Sequence, residues 1–114
     1  MRIILSLLLL FPVAVLAEKT EETDSLREKV IMAAERNGED PGLIRAVIHV
    51  ESRFKRRQIS SAGAYGLMQV RYKIWKKECG LTRPEDLFDV DTNIDCGTYA
   101  VSYTHLTLPT ICSV

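Results

Sequence analysis

Residues 40–69 read DPGLIRAVIHVESRFKRRQISSAGAYGLMQ: a helix, a basic exit and a small-residue loop in direct succession. Asp40 followed by Pro41 predicts a helix start, because the aspartate side chain accepts from the free amides of the first turn and proline loses nothing at the first helical position. Ile44, Val47 and Ile48 then recur on one face, and the next member of that stripe is Glu51. The stripe therefore predicts a carboxylate turned toward the core. Loss of water favours the protonated carboxyl, the state a general acid must hold. For an isolated acid on such a helix, a partly buried glutamate paired with Arg45 or Arg53 is the plainer expectation.

The residues after Glu51 shift the balance toward a site. Arg53 to Gln58 is polar and basic. Ser60 to Gly66, SSAGAYG, is a run of mostly small residues that lets backbone approach backbone or ligand closely. It feeds into Leu67-Met68-Gln69-Val70, a strand-like apolar segment carrying one amide. Glu51-Ser52, Ser60 and the run GAYGLMQ ending at Gln69 resemble, in order and spacing, the signature of the soluble lytic transglycosylases of bacterial cell walls, the goose-type-lysozyme-like enzymes of glycoside hydrolase family 23. Asn93-Ile94 followed by Gly97 and Tyr99 fits a later segment of that family, so the resemblance covers residues 24–100.

The resemblance implies a mainly α fold, α+β and lysozyme-like, with at most a minimal β element. It also implies a domain incomplete at its C-terminus, since the family continues into further helices with a tyrosine-containing motif. By the same resemblance Glu51 is the general acid and base. Ser60 and Gln69 hold the sugar, the Gly66-Leu67-Met68 backbone forms the cleft wall, and Tyr65 and Asn93 are further candidates for substrate contact. Arg71-Tyr72 stands where the family often has Met-Pro, which removes the contacts of that methionine.

Glycoside cleavage ordinarily takes two carboxylates. The motif region offers Glu51, whereas Asp86, Asp89, Asp91 and Asp95 fall around short helices where capping or solvent accounts for them. One acid suffices if the substrate supplies its own nucleophile. In the family resembled here, the glutamate protonates the bond between N-acetylmuramic acid and N-acetylglucosamine, then takes the proton of the muramic acid 6-hydroxyl, which closes a 1,6-anhydro ring. A lyase acting on peptidoglycan glycan strands without a cofactor is thus the expected activity. The alternatives are a hydrolytic muramidase and a non-catalytic peptidoglycan-binding module of an envelope secretion, conjugation or pilus apparatus.

The chain opens with Met1-Arg2, an apolar run from Ile3 to Leu16, and Ala17 ahead of the first charges. This pattern predicts a cleavable signal peptide over residues 1–17, and hence a periplasmic or otherwise extracytoplasmic protein. An uncleaved anchor is the alternative, but the run is shorter than the roughly 20 residues a span needs. Residues 18–23 are polar and aperiodic, a flexible leader. Removing the signal leaves room for one small domain. The net charge of +0 gives no reason to expect nucleic acid as a partner, and membrane contact is expected only through the signal peptide. Two basic clusters, Lys55-Arg56-Arg57 and Arg71 to Lys77, suit solvated faces or attraction to the carboxylates of cell-wall peptides.

Ser25 with Glu28 predicts a capping box for a scaffold helix that stops at Asn37-Gly38. His49 stands two residues before Glu51, on nearly the opposite side of the helix, so a His-Glu pair is not expected. Trp75 belongs to a short amphipathic helix starting at Tyr72, where core packing outweighs sugar stacking. Thr82 with Pro84 starts another short helix, and Asp91 is read as the cap of the helix that carries Asn93 and Gly97. In an exported protein Cys79 and Cys96 could form a disulfide, and the cysteines and histidines lack the spacing of a metal site.

Residues 101–114 begin VSYTHLTLPT, whose β-branched residues and proline predict a break in that last helix. The string matches the translation of one frame of a transposase-derived sequencing adapter, so this tail is expected to be non-native, with Cys112 no part of the protein.

Overall fold

In this computed structural model residues 24–107 are described. The signal peptide expected at 1–17, the leader expected at 18–23 and residues 108–114 of the expected tail lie outside the described residues. Helix α1 covers residues 24–37, so Ser25 already lies inside it rather than capping it. It ends as Asn37-Gly38 predicts. Gly38 takes φ +67°, its N–H donates to Glu35 O, and Glu39 N–H donates to Ala34 O at 2.9 Å, the paired bonds of a Schellman stop.

Helix α2, Pro41–Ser52, starts as its sequence demands: Asp40 accepts from Leu43 N–H at 3.1 Å and Pro41 fills the first turn. It ends on Arg53 in the left-handed region, whose N–H donates to His49 O. Strands β1, Ala64–Tyr65, and β2, Val70–Arg71, pair antiparallel with Ala64 opposite Arg71 and Tyr65 opposite Val70. Leu67 to Gln69 is thus the turn of a hairpin and not the strand itself. Positive φ at Gly66 and Gln69 gives that four-residue connection its shape.

Helix α3, Tyr72–Trp75, follows β2 directly, and a 3-10 segment, Pro84–Phe88, precedes helix α4, Val90–Thr107. The cap of α4 is Asp89 and not Asp91. The Asp89 carboxylate accepts from Thr92 N–H at 3.0 Å and from the Thr92 hydroxyl at 2.9 Å. Asp91 sits in the first turn of the helix and meets Lys29 at 2.7 Å.

The expected break at Val101 does not occur, since α4 runs on to Thr107. Contacts with the rest of the fold override the weak local preference. Ser102 Oγ donates to Asn37 O at 3.1 Å, His105 meets Glu39 at 3.1 Å, and Tyr103 packs edge-on against Trp75. Lys29 with Asp91 and Arg36 with Asp95 extend the same series, so α1 and α4 lie side by side and run in the same sense.

The core joins Val30, Ala33 and Ala34 of α1 to Ile44 and Ile48 of α2, to Leu67, Met68 and Val70 of the hairpin, and to Ile94 and Cys96 of α4. Cys79 and Cys96 form a disulfide that ties the segment after α3 to α4. The architecture is mainly α with one minimal hairpin. Among the described residues no helix is long and apolar enough to cross a membrane.

Candidate active site

Along α2 the buried residues are Ile44, Ile48 and Ser52, one i, i+4 row. Leu43, Val47 and Glu51 make the neighbouring row. At 3.6 residues per turn Glu51 lies about 60° from the centre of the buried face. The expectation of a core-facing Glu51 is therefore corrected: its residue is exposed, at the rim of an open groove of about 430 Å³. His49 points elsewhere, exposed, with its ring 6.1 Å from that of Phe54.

The groove runs between the 43/47/51 row of α2, the hairpin turn, Trp75 and one face of α4. Met68 and Gln69 are the turn residues that line it, and Gly97 lies beneath Met68. A Cβ on Gly97 would sit 2.5 Å from the Met68 sulfur, so the glycine is what admits the methionine side chain. The Thr98 hydroxyl donates to that sulfur at 3.8 Å. Trp75 closes one end of the groove in an edge-on cluster with Tyr99 and Tyr103.

Gln69 holds a left-handed backbone, φ +52°, which is uncommon outside glycine. Its side chain is braced: Nε2 donates to Gln58 O at 3.0 Å and to Gly66 O at 2.9 Å. With both N–H bonds committed, what this amide can offer a ligand is its carbonyl oxygen.

Other residues named from the sequence serve the turn rather than the groove. The Ser60 hydroxyl accepts from Ala64 N–H at 3.1 Å, while Ser60 N–H donates to Ala64 O at 2.9 Å, which closes the small-residue loop. Tyr65 is half-buried with its ring edge-on to Phe88, and its carbonyl accepts from Asn93. Leu67 is 1% exposed and belongs to the core. Gly66 takes φ +78°, and a Cβ there would meet the Asn93 amide and come 2.5 Å from Leu87 O.

Asn93, 1% exposed, ties these parts together. Its Oδ1 accepts from Met68 N–H at 2.8 Å, and its Nδ2 donates to Tyr65 O at 2.8 Å and to Leu87 O at 2.9 Å. Its amide is spent within the chain. Asn93 therefore holds the wall of the groove from behind and does not face a ligand. Leu43, Val47, Arg71 and Thr104 line the groove and were not legible as site residues. The same i, i+4 spacing that put Glu51 on a stripe would have found Leu43 and Val47 had the 44/48/52 row been taken as the buried one.

The description of the family model that matches residues 28–110 is transglycosylase SLT domain. Over 78 residues the chain is 37% identical to a protein named membrane-bound lytic murein transglycosylase C, from Edwardsiella ictaluri (strain 93-146). That alignment covers 62% of this chain and 22% of the relative, so the chain spans less than a quarter of the relative's length. No solved structure matches.

Proposed function

This chain belongs to the transglycosylase SLT domain family, and on that premise we propose that it is a peptidoglycan lytic transglycosylase with Glu51 as its acid and base. The observation that carries the proposal is that Glu51 lines the same groove as Met68 and Gln69 of the GLMQ turn. Glu51 is the carboxylate that lines this groove among the described residues. A single acid suits a reaction in which the substrate's own 6-hydroxyl attacks.

Glu51 first gives its proton to the glycosidic oxygen between N-acetylmuramic acid and N-acetylglucosamine, and the bond breaks. The resulting carboxylate then takes the 6-hydroxyl proton as that oxygen bonds to the anomeric carbon. The product is a 1,6-anhydro-muramic acid end, and the proton count closes with Glu51 restored. Gln69 Oε1 accepts a hydrogen bond from a sugar hydroxyl or amide N–H, and the buried Met68 backs that wall of the groove. The relative's name, a murein transglycosylase, supports the substrate, and its description as membrane-bound supports an extracytoplasmic site of action. Export through residues 1–17 is part of the same proposal.

Digestion of purified cell wall tests it, with Glu51→Gln as the control. Anhydro-muropeptides from the parent chain, lost in Glu51→Gln, are expected. Reducing ends alone would make the enzyme a muramidase. Binding to the wall with no turnover in either form would make it a binding module. We also infer that residues 101–114 derive from adapter sequence. DNA read from a library made without that adapter then departs from this chain after the Ala100 codon, and native residues supply the groove wall now formed by Val101 and Thr104. The same codons recovered from such a library would overturn that inference.

A further inference from the structure

Arg71 is a charged residue of the Glu51 groove to which the proposed reaction gives no task. It follows Val70 in β2, where successive side chains turn to opposite faces. Val70 is buried accordingly, and Arg71 is exposed and lines the groove. Among the described residues no hydrogen bond or ion pair reaches its guanidinium, from Glu51 or from any other acid. The other basic residue lining the groove, His105, is engaged with Glu39 at 3.1 Å. Lys73, Lys76 and Lys77 follow in the same basic cluster but do not line it. The family this chain resembles often has methionine at the position of Arg71, so the cation belongs to this chain and not to the family pattern.

An exposed cation costs little while water fills the groove. A neutral ligand laid across it would remove that water and leave the charge without a partner, whereas an anion on the ligand compensates it. Such a groove discriminates by charge as well as by shape. The planar fork of guanidinium donors suits a carboxylate. On a peptidoglycan glycan the carboxylate borne by the sugar itself is that of the 3-O-lactyl group of N-acetylmuramic acid, on the ring whose anomeric carbon reacts. A phosphate ester on the 6-oxygen of that ring would block the oxygen that has to attack.

We propose that Arg71 is a specificity-determining residue that pairs with the free lactyl carboxylate of muramic acid, so that this chain favours glycan strands already stripped of their peptides. In a peptide-bearing strand the lactyl carboxyl is an amide and carries no charge. The class of reaction that supplies the favoured substrate is therefore hydrolysis of that amide. The proposal rests on peptidoglycan glycan being the substrate.

The test uses the whole chain and tetrasaccharides of alternating N-acetylglucosamine and N-acetylmuramic acid in three forms: lactyl carboxyls free, converted to methyl amides, or carrying L-alanyl-D-isoglutamine. Calorimetry in the Glu51→Gln background reads binding without turnover. The free acid is expected to bind about tenfold more tightly than either other form, as loss of a charge-assisted hydrogen bond implies. Added salt is expected to reduce that preference, and Arg71→Met to abolish it. If Arg71→Met fails to fold, Arg71→Gln is expected to abolish the preference in the same way. Any of four results overturns the proposal: no binding of any form, equal binding of the free acid and the methyl amide, a preference that survives both Arg71 variants, or a peptide-bearing form that binds as tightly as the free acid and so moves the recognised carboxylate to the peptide. Preference for the free acid with no anhydro-products from the parent chain would strike the catalytic assignment alone. Anhydro-products formed equally well from the free acid and the methyl amide would strike this proposal alone.

Discussion

Asn93→Ala removes three hydrogen bonds in one step, two buried and one part-buried: one accepted from Met68 N–H and two donated, to Leu87 O and, part-buried, to Tyr65 O. Alanine cannot replace any of them, and the Met68 N–H and Leu87 O are left in buried surroundings. A buried polar group without a partner costs about 1–3 kcal/mol. Carbonyl oxygens tolerate this better than amide N–H groups, and the turn can relax, so the low end applies to two of the three. The expected loss is about 3–4 kcal/mol, against a total of about 5–15 kcal/mol for a domain. With a urea slope of about 1 kcal/mol per molar for so small a chain, the unfolding midpoint falls by about 3 M. Trp75, the one tryptophan, reports the transition by fluorescence. Hydrogen exchange at the Met68 amide reports the local effect, and that amide is expected to lose protection first. Asn93→Asp separates the two halves of the clamp. It keeps an acceptor for Met68 N–H but sets a carboxylate oxygen against two carbonyl oxygens, so it is expected to be no better than alanine at neutral pH. A variant within about 0.5 kcal/mol of the parent, yet impaired in binding glycan, would refute this account and return Asn93 to the ligand-facing role that the sequence resemblance gave it.

Gly66→Ala is expected to cost about 2–4 kcal/mol in thermal or urea unfolding, because the new methyl group meets Leu87 O and Asn93 at a backbone φ of +78° that disfavours any side chain. Loss of the disulfide through Cys79→Ser with Cys96→Ser is expected to cost about 3 kcal/mol in the same assay and to free the segment after α3 from α4. Asp86 and Asp89 are both held below the ordinary aspartate value, Asp86 chiefly by the backbone N–H groups of Thr82 and Arg83, and Asp89 by the backbone N–H and hydroxyl of Thr92. A carboxylate depressed in the folded state stabilises above its unfolded value and loses that contribution as pH falls through the folded one. Stability is therefore expected to hold from neutral pH down to the ordinary aspartate value of 3.8 and to decline below it. Asp86→Asn with Asp89→Asn should make that acid decline shallower, and an unchanged decline would show that other groups govern it.

Where local chemistry decides the backbone, the sequence was legible. Asp40-Pro41 starts α2 and Asn37-Gly38 stops α1 because the cap residues act on groups within one turn of themselves. Long-range partners were not legible. Asn93 in a motif looks the same whether its amide faces a sugar or three backbone groups 6 to 28 residues away. The choice between Asp89 and Asp91 as cap turned on Thr92, which presents both an N–H and a hydroxyl to the earlier acid. Val101 to Thr107 is helical because α1 and Trp75 give it contacts that its own residues do not announce. The strand-like look of Leu67 to Val70 came from residues that are apolar for the sake of the core, and the chain spends them in a turn.

The exposed Glu51 carries a consequence for how the site works. A carboxyl set among Ile44 and Ile48 would already be stripped of water, whereas on the 43/47/51 row it is stripped only when something fills the groove. Much of the wall beside Glu51 is apolar, with Leu43 and Val47 along the helix, Met68 and Val70 behind and Trp75 at the end, while Gln69, Arg71, Thr104 and His105 make up its polar part. On the proposed function, a sugar chain laid against it would cover Glu51 and exclude solvent as it brings the glycosidic oxygen within reach. The bound glycan itself would then supply the water-excluded setting in which the proton is transferred. Short glycan fragments that leave part of the groove wet should then lose turnover rate as well as affinity, and a loss confined to affinity would place the desolvation of Glu51 elsewhere.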